Sequence, residues 1–265
     1  MINETIMVNK RPFGITFFVY MAAIWFFALS CDEVKDKYAD PEKAFLAARE
    51  YYDDENYEMS LPKLQEFKAR FPYSKYAREA DLLIGDAYYQ TDSFEEAAAV
   101  YEQFVKLYPS HPKVDFAKHR VGLCYWAEAP EALDREQDFT RRALKEWEEL
   151  ERDFPKSKHL PEAKAFYKIG RRRLADADHF VAKFYCKLEK WGACAYRAVK
   201  IIDDHAQFKE IMKSAAKLGE KSLYELAQGV KSGEIKSDAN LLVKTWNADQ
   251  LLKKSQELGE IYKKF

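Results

Sequence analysis

The stretch "ARFPYSKYAREADLLIGDAYYQ" at residues 69–90 joins a Phe-Pro pair to a helical run that contains a glycine. Nearly the same frame returns as "LYPSHPKVDFAKHRVGLCYW" at 107–126, and its first half returns as "RDFPKSKHLPEAKAFY" at 152–167. The prolines of the three copies lie 37 and then 46 residues apart, at Pro72, Pro109 and Pro155. The chain therefore contains an internal repeat. The longer spacing predicts a loop of nine inserted residues around "EAPEALDREQD".

Small residues recur at fixed distances from these prolines. Ala80, Ala117 and Ala163 each follow the aromatic residue before the proline by nine positions, and Gly85 and Gly122 share a second offset. A glycine inside a helix costs about 1 kcal/mol relative to alanine. Its retention indicates that a facing helix packs against the bare backbone. Proline cannot continue a helix and disfavours helical geometry in the residue before it, so each aromatic–Pro pair predicts a helix end.

This pattern resembles the tetratricopeptide repeat, a helix–turn–helix unit of about 34 residues with small residues where its helices touch. The second copy matches successive signature positions, namely Ile84, Gly85, Tyr88, Ala97, Tyr101 and Pro109. We predict helices near 41–54, 57–70, 75–90, 93–107, 113–127, 139–153, 160–174, 177–189, 192–204 and 208–228. One hairpin cannot cover its own apolar face, so the sequence predicts an all-α superhelix of about five helical hairpins plus a C-terminal helix.

The later copies are degenerate, with Lys168 at the glycine position and no proline after "IIDDH". The segment 239–263 carries apolar residues at helical spacing, namely Leu241, Leu242, Trp246, Leu251, Leu252, Leu258 and Ile261. It reads as a helix that caps the repeats or binds a partner, with capping favoured. The predicted organisation is a signal peptide at 1–30, a tether at 31–40, the repeat domain at 41–230, and a linker with a C-terminal helix at 231–265.

The first thirty residues predict export. Lys10 and Arg11 precede 19 uncharged residues, and Cys31 follows small residues. "Ala-Leu-Ser-Cys" ending at Cys31 resembles the lipobox of bacterial lipoproteins, although Ala28 replaces the usual leucine. The resemblance implies lipidation of Cys31, and each buried methylene would add about 0.8 kcal/mol of membrane affinity. The alternative is an uncleaved membrane span, for which the stretch is just long enough.

Charge and motifs argue against several classes of function. The net charge of −1 argues against nucleic acid as a partner. Charge is unevenly spread, since residues 31–182 carry a balance of −7 and residues 183–265 a balance of +5. No phosphate-binding loop, hydrolase or metalloprotease motif occurs, and the five histidines form no i,i+4 pair. We therefore expect neither an enzyme nor a metal or cofactor site.

Three further cysteines, Cys124, Cys186 and Cys194, form no Cys-x-x-Cys pair, so a zinc or thioredoxin-type site has no support. Cys186 and Cys194 flank "KLEKWGA" and could form a disulfide in an oxidising compartment. Two buried free thiols are the favoured expectation.

Three stretches, at 111–123, 133–144 and 181–204, resemble the BamD family of repeat lipoproteins in the outer-membrane β-barrel assembly machinery. The resemblance runs from about Pro41 to Leu226. It implies a scaffold on the periplasmic face of the outer membrane, held there by its lipid. The implied partners are the POTRA domain of an Omp85-type barrel-inserting protein, other lipoproteins of the complex, and unfolded outer-membrane proteins.

The family resemblance also implies site residues. Arg197, in "YRAV", matches a family arginine at the POTRA contact, and its alternative is an ordinary surface charge. The N-terminal repeats are implied to receive the terminal strand of unfolded barrel proteins, which ends in an aromatic residue. The candidates for this substrate contact, each with core packing as its alternative, are Tyr51, Phe71, Tyr73, Tyr88 and Tyr89.

Two alternatives remain open at this point. Asp32, directly after the lipidated cysteine, is in some bacteria a signal for retention in the inner membrane. A repeat lipoprotein that coordinates cell-wall synthesis or division would share the anchor and the fold.

Overall fold

A computed structural model of the chain describes residues 40–235 and 246–264. The predicted signal peptide, Cys31, residues 32–39 of the predicted tether, and Leu241 and Leu242 lie outside these residues. Within them the chain forms ten α-helices and no strand. The helices are α1 (Pro41–Asp53), α2 (Tyr57–Arg70), α3 (Ala77–Gln90), α4 (Phe94–Leu107), α5 (Val114–Glu128), α6 (Asp138–Asp153), α7 (Leu160–Lys187), α8 (Trp191–Asp204), α9 (Lys209–Ser232) and α10 (Ala248–Lys263).

The aromatic–Pro pairs end their helices as predicted. Phe71, Tyr108 and Phe154 are the C-cap residues of α2, α4 and α6 and share nearly one backbone conformation, with φ from −126° to −130° and ψ from 55° to 62°. The Phe71 amide donates to the Phe67 carbonyl, which closes the last turn. The proline that follows can neither extend the helix nor donate a further backbone bond.

Each helix packs against the next along the chain, which gives the hairpins α1/α2, α3/α4, α5/α6, α7/α8 and α9/α10. The turns inside the first, second and fourth hairpins each place one residue in the left-handed region, at Glu55, Asp92 and Glu189, with φ from 57° to 60°. The shared geometry marks these three turns as equivalent positions of one repeat. The predicted all-α repeat superhelix is confirmed.

The division of residues 160–189 into two helices was wrong. Residues Leu160–Lys187 form the single helix α7, since "RRLADADHFVAK" holds neither glycine nor proline to interrupt it. The fourth hairpin is consequently α7/α8, and α10 is the second helix of the fifth. Leu251 and Leu258 of α10 are buried against α9, and Leu258 fills the space above Gly219. This is the capping position that the sequence favoured for the C-terminal helix.

Glycines mark the seams between helices, but side chains fill the space above them. A Cβ on Gly85 would lie 2.8 Å from the Tyr101 ring, and one on Gly122 would overlap the Trp147 indole. In the fourth hairpin Lys168 is exposed, while Gly170 makes the close approach, to Leu144. A neighbouring helix therefore packs against the bare backbone at Gly85, Gly122 and Gly170 as expected, and it does so through an aromatic or leucine side chain.

Cys186 and Cys194 form a disulfide, with their Cα atoms 5.0 Å apart, so the favoured expectation of two free thiols was wrong. The tight turn between α7 and α8 brings the last turn of one helix beside the first turn of the other. Cys124 is a buried free thiol, and burial raises its pKa to about 12.

Candidate protein-docking surfaces

A groove opens between α1 and α2 at the N-terminal end of the described chain. Its volume is about 580 Å³. The lining combines apolar and charged residues, namely Lys43, Ala44, Ala47, Ala48, Glu50, Tyr51, Lys63, Glu66, Phe67, Arg70 and Phe71. We call this the N-terminal groove. Its apolar floor and charged rim suit a segment that ends in an aromatic side chain.

Two of the five predicted client contacts meet in this groove, Tyr51 and Phe71. The Phe71 ring packs 5.6 Å from the ring of the buried Phe67, and the Arg70 guanidinium lies 5.3 Å from the Phe71 ring centroid. Lys63 pairs with Glu66 at 3.4 Å on the rim, where both side chains are exposed and the pair adds little stability. The groove thus presents one half-buried aromatic ring beside cationic groups.

The other three tyrosines lie elsewhere. Tyr73 is fully exposed. The Tyr88 hydroxyl accepts a hydrogen bond from Gln65 at 2.9 Å, and its ring packs against both the core around Phe45 and the core around Tyr101. Tyr89 lies under the Arg120 guanidinium at 4.0 Å, and burial raises the pKa of its hydroxyl.

A second surface surrounds Arg197 on α8. Its guanidinium lies 5.1 Å from the ring centroid of Tyr185, and the Tyr185 ring contacts the Phe184 ring at 5.8 Å. Among the described residues no carboxylate lies within 4.0 Å of Arg197, so the planar donor face is free to take one from another molecule. The resemblance to the BamD family implied a partner contact at Arg197, which stays a prediction, and it did not indicate that Tyr185 supports the guanidinium.

An apolar row runs along the C-terminal half of α7 and ends at its C-cap. Phe180, Phe184 and the C-cap residue Leu188 follow one another by four residues, so they lie on one side of the helix. Their exposed fractions are 45%, 52% and 50%. We call these three residues the α7 row. The sequence analysis did not single out this row, although the four-residue spacing was visible in the sequence.

The disulfide connects the two parts of this surface. Cys186 is the residue after Tyr185, and Cys194 lies one helical turn before Arg197. The bond therefore ties the helix that carries Tyr185 and the α7 row to the helix that carries Arg197. Together these residues form the C-terminal docking surface, which we define as Phe180, Phe184, Tyr185, Leu188 and Arg197.

No helix in the described ranges is long and apolar enough to span a membrane. Those ranges also hold no group of three or more His, Cys, Asp or Glu side chains that could bind a metal ion. What they do hold is a set of stacked helical hairpins with two open surfaces. The fold and these surfaces define a tetratricopeptide-repeat protein.

The comparisons with known proteins narrow this class. The model of the YfiO family, described as an outer membrane lipoprotein, matches residues 37–228, and the chain belongs to this family. A relative from Neisseria gonorrhoeae, named outer membrane protein assembly factor BamD, is 31% identical over 184 residues, which are 66% of this chain and 69% of that one. The protein of the same name from Vibrio cholerae is 25% identical over 164 residues, covering 58% and 68%. The resemblance found in the sequence is thereby confirmed.

Among solved structures, the TPR2AB domain of yeast Sti1 in its pHSP90 complex superposes with a TM-score of 0.42 at 11% identity, over 84% of this chain and 97% of that one.

Proposed function

We propose that this chain is a non-enzymatic scaffold of the outer-membrane protein assembly machinery, attached to the membrane through lipid on Cys31. The family match over residues 37–228 carries the proposal, since relatives in that family are named assembly factors. The two docking surfaces support it because a scaffold must hold at least two other polypeptides.

The C-terminal docking surface is the proposed contact for the POTRA domain of a barrel-inserting protein. Arg197 can hold a carboxylate in bidentate fashion, while the rings beside it supply apolar area. The half-buried guanidinium is already positioned over Tyr185, so little side-chain entropy is lost on binding.

The N-terminal groove is the proposed contact for unfolded β-barrel clients. An incoming strand with a terminal aromatic residue would place that ring against Tyr51 and Phe71. The lysine and arginine side chains of the charged rim would then face the terminal carboxylate of the same strand.

Charge reversal at Arg197 tests the first contact. We expect Arg197→Glu to lower recovery of the barrel-inserting subunit by about tenfold or more, because it sets two carboxylates against each other. The measurement is a pull-down from solubilised envelopes. Arg152→Glu is the matched control, since Arg152 is exposed on α6 and far along the chain from α8. Equal recovery with both variants would remove Arg197 from the interface, and recovery of cell-wall synthases instead of a barrel protein would contradict the proposed machinery.

Client binding is tested separately with a peptide that ends in phenylalanine. Phe71→Ala and Tyr51→Ala should weaken its crosslinking to the full chain, whereas Tyr73→Ala, which changes a fully exposed ring outside the groove, should not. Equal crosslinking in all three variants would place the client elsewhere. Fractionation of a Cys31→Ser variant tests the anchor, and continued membrane retention of a cleaved form would contradict lipidation.

A further inference from the structure

Three lysines form a row on one face of α9. Lys213, Lys217 and Lys221 follow one another by four residues, so they lie on successive turns and span about 12 Å. Lys217 and Lys221 are exposed and Lys213 is half-buried. In the part of the chain that the structure describes, no carboxylate lies within 4.0 Å of any of the three ammonium groups.

Aromatic rings lie beneath and beside this row. Lys213 and Lys217 approach the Tyr262 ring centroid at 5.6 and 5.9 Å, and Lys221 approaches the Trp191 centroid at 5.3 Å. Tyr224 continues the same face of α9 and is half exposed. We call the three lysines together with Trp191, Tyr224 and Tyr262 the lysine–aromatic face.

Two acidic side chains near this face make contacts outside it. The Glu220 carboxylate lies against Gly259 of α10, and Glu260 pairs with Lys263 at 2.9 Å. The face belongs to residues 183–265, which carry a charge balance of +5. Three unneutralised ammonium groups on one side of a helix repel one another, so the arrangement favours an anionic surface as their counterpart.

The kind of basic residue indicates the kind of surface. After Arg197 the sequence contains twelve lysines and no arginine. Protein interfaces are enriched in arginine and depleted in lysine, because the planar guanidinium matches carboxylates in two-point contacts. A lipid headgroup layer instead takes point charges on flexible stems, whose methylenes lie along apolar material while the charge reaches the phosphates. Trp and Tyr are the residues that concentrate at such interfaces.

We propose that the lysine–aromatic face docks on the anionic headgroup surface of a phospholipid bilayer. The proposal rests on the proposed function in one respect, namely that the chain resides at a membrane. Each lysine near an anionic surface contributes about a fivefold gain in partitioning, so three together contribute about a hundredfold at low salt. The contact would orient the fifth hairpin against the membrane, independently of any N-terminal lipid.

The test is chemical footprinting of the full chain on reconstituted vesicles. The vesicles contain phosphatidylcholine alone or phosphatidylcholine with phosphatidylglycerol, and acetylation rates of individual lysines are read by mass spectrometry. On the anionic vesicles, we expect the acetylation rates of Lys213, Lys217 and Lys221 to fall to about one fifth of their rates on neutral vesicles, or lower. High salt should restore their rates, because it screens exposed charges. Lys145, which is exposed on α6, should react equally in both.

Variants separate a specific face from general basicity. We expect the exposed Lys190 and Lys264, near this face, to be protected on anionic vesicles in the wild type and to lose that protection in the triple variant Lys213→Gln, Lys217→Gln, Lys221→Gln. A control triple variant with the same charge change, Lys106→Gln, Lys145→Gln, Lys168→Gln, alters exposed lysines of other hairpins and should retain it.

Two outcomes would overturn the proposal. One is equal reactivity of the row on neutral and anionic vesicles. The other is protection that appears only when an acidic POTRA domain is added, which would make the face a protein interface. Pull-down of the barrel-inserting subunit is a separate readout. A failed bilayer contact therefore leaves the proposed scaffold function standing, and a failed pull-down leaves the bilayer contact standing.

Discussion

The central repeats and the C-terminal repeats place their aromatic side chains differently. In α3 to α6 the large rings lie inside, with Tyr101 over Gly85 and Trp147 over Gly122. In α7 to α9 the interior is built largely from small residues such as Ala175, Ala182 and Ala215, whereas several rings lie outside. The central repeats therefore use aromatic area for stability. The C-terminal repeats keep it available for binding and add a disulfide.

Polar groups follow the same division. Arg120 lies between helices of the second and third hairpins, 2.8 Å from Asp86 and 3.1 Å from the Tyr101 hydroxyl. This network leaves its charge satisfied inside the repeat stack. Arg197, in contrast, has an aromatic support but no carboxylate partner among the described residues. Arg120 thus holds two neighbouring hairpins together, whereas Arg197 remains available to another molecule.

The largest expected effect distinguishes interior rings from exterior rings. Trp147→Ala should lower the free energy of unfolding by about 3–5 kcal/mol, because it opens a cavity above Gly122 and removes the stack with Phe166. Phe184→Ala, on the α7 row, should change it by about 0.5 kcal/mol or less. Urea unfolding followed by circular dichroism measures both. Similar losses for the two variants would contradict the comparison.

A smaller effect is expected from the disulfide. Replacing Cys186 and Cys194 together by serine should destabilise the C-terminal repeats by about 2 kcal/mol, because a short closed loop is released in the unfolded chain. Amide hydrogen exchange should show faster opening of α7 and α8 with little change in α3 to α6. A thiol reductant should reproduce this in the wild type and have no effect on the double variant. Uniform loosening of all repeats would show that the two regions are not separately stabilised.

The smallest effect concerns pH. Burial lowers the pKa of His119 below 6.5, against the opposing effect of Glu162 at 3.1 Å, while His159 and Arg120 lower it further. As the pH falls, the unfolded chain therefore takes up this proton before the folded chain does. The stabilising contribution of neutral His119 is present above about pH 6.5 and is lost as the pH falls from 6.5 toward the lower pKa of the folded state.

The free energy of unfolding should therefore decrease less between neutral and mildly acidic pH in His119→Gln than in the wild type, by about 1 kcal/mol. Burial also lowers the pKa of the half-buried His179 in α7, so His179→Gln is the matched variant in the C-terminal repeats. We expect a smaller change from it, since His119 is only 2% exposed. Urea midpoints across the pH range measure both, and an unchanged profile for His119→Gln would assign the pH dependence to other groups.

Local chemistry made much of the fold predictable. The pairs at Phe71, Tyr108 and Phe154 stop helices whatever surrounds them, because the proline ring excludes a continued helix. The boundary near residue 174 was wrong for the opposite reason. Only the expected repeat length suggested a helix end at that position, and the sequence there holds no proline or glycine that would end a helix.

The candidate sites were less accessible to prediction. An amphipathic pattern shows that a helix has an apolar face but not whether another helix covers it. Phe180, Phe184 and Leu188 have the same spacing as core residues, and they are exposed because α7 continues as one helix and packs on α8 and α9 along another face. Likewise, the sequence offered no means to choose among the five aromatic residues predicted to contact clients, and the structure shows that, of these five, only Tyr51 and Phe71 line the N-terminal groove.

Sequence was sufficient for the repeat, for the helix ends at the aromatic–Pro pairs, for the family and for the close packing at Gly85 and Gly122, because proline, glycine and motif spacing act over a few residues. Only the tertiary structure decided which hairpins pair, that Cys186 meets Cys194, and which aromatic rings face solvent. These features depend on distances between residues far apart in the chain, which follow from the packing of whole helices.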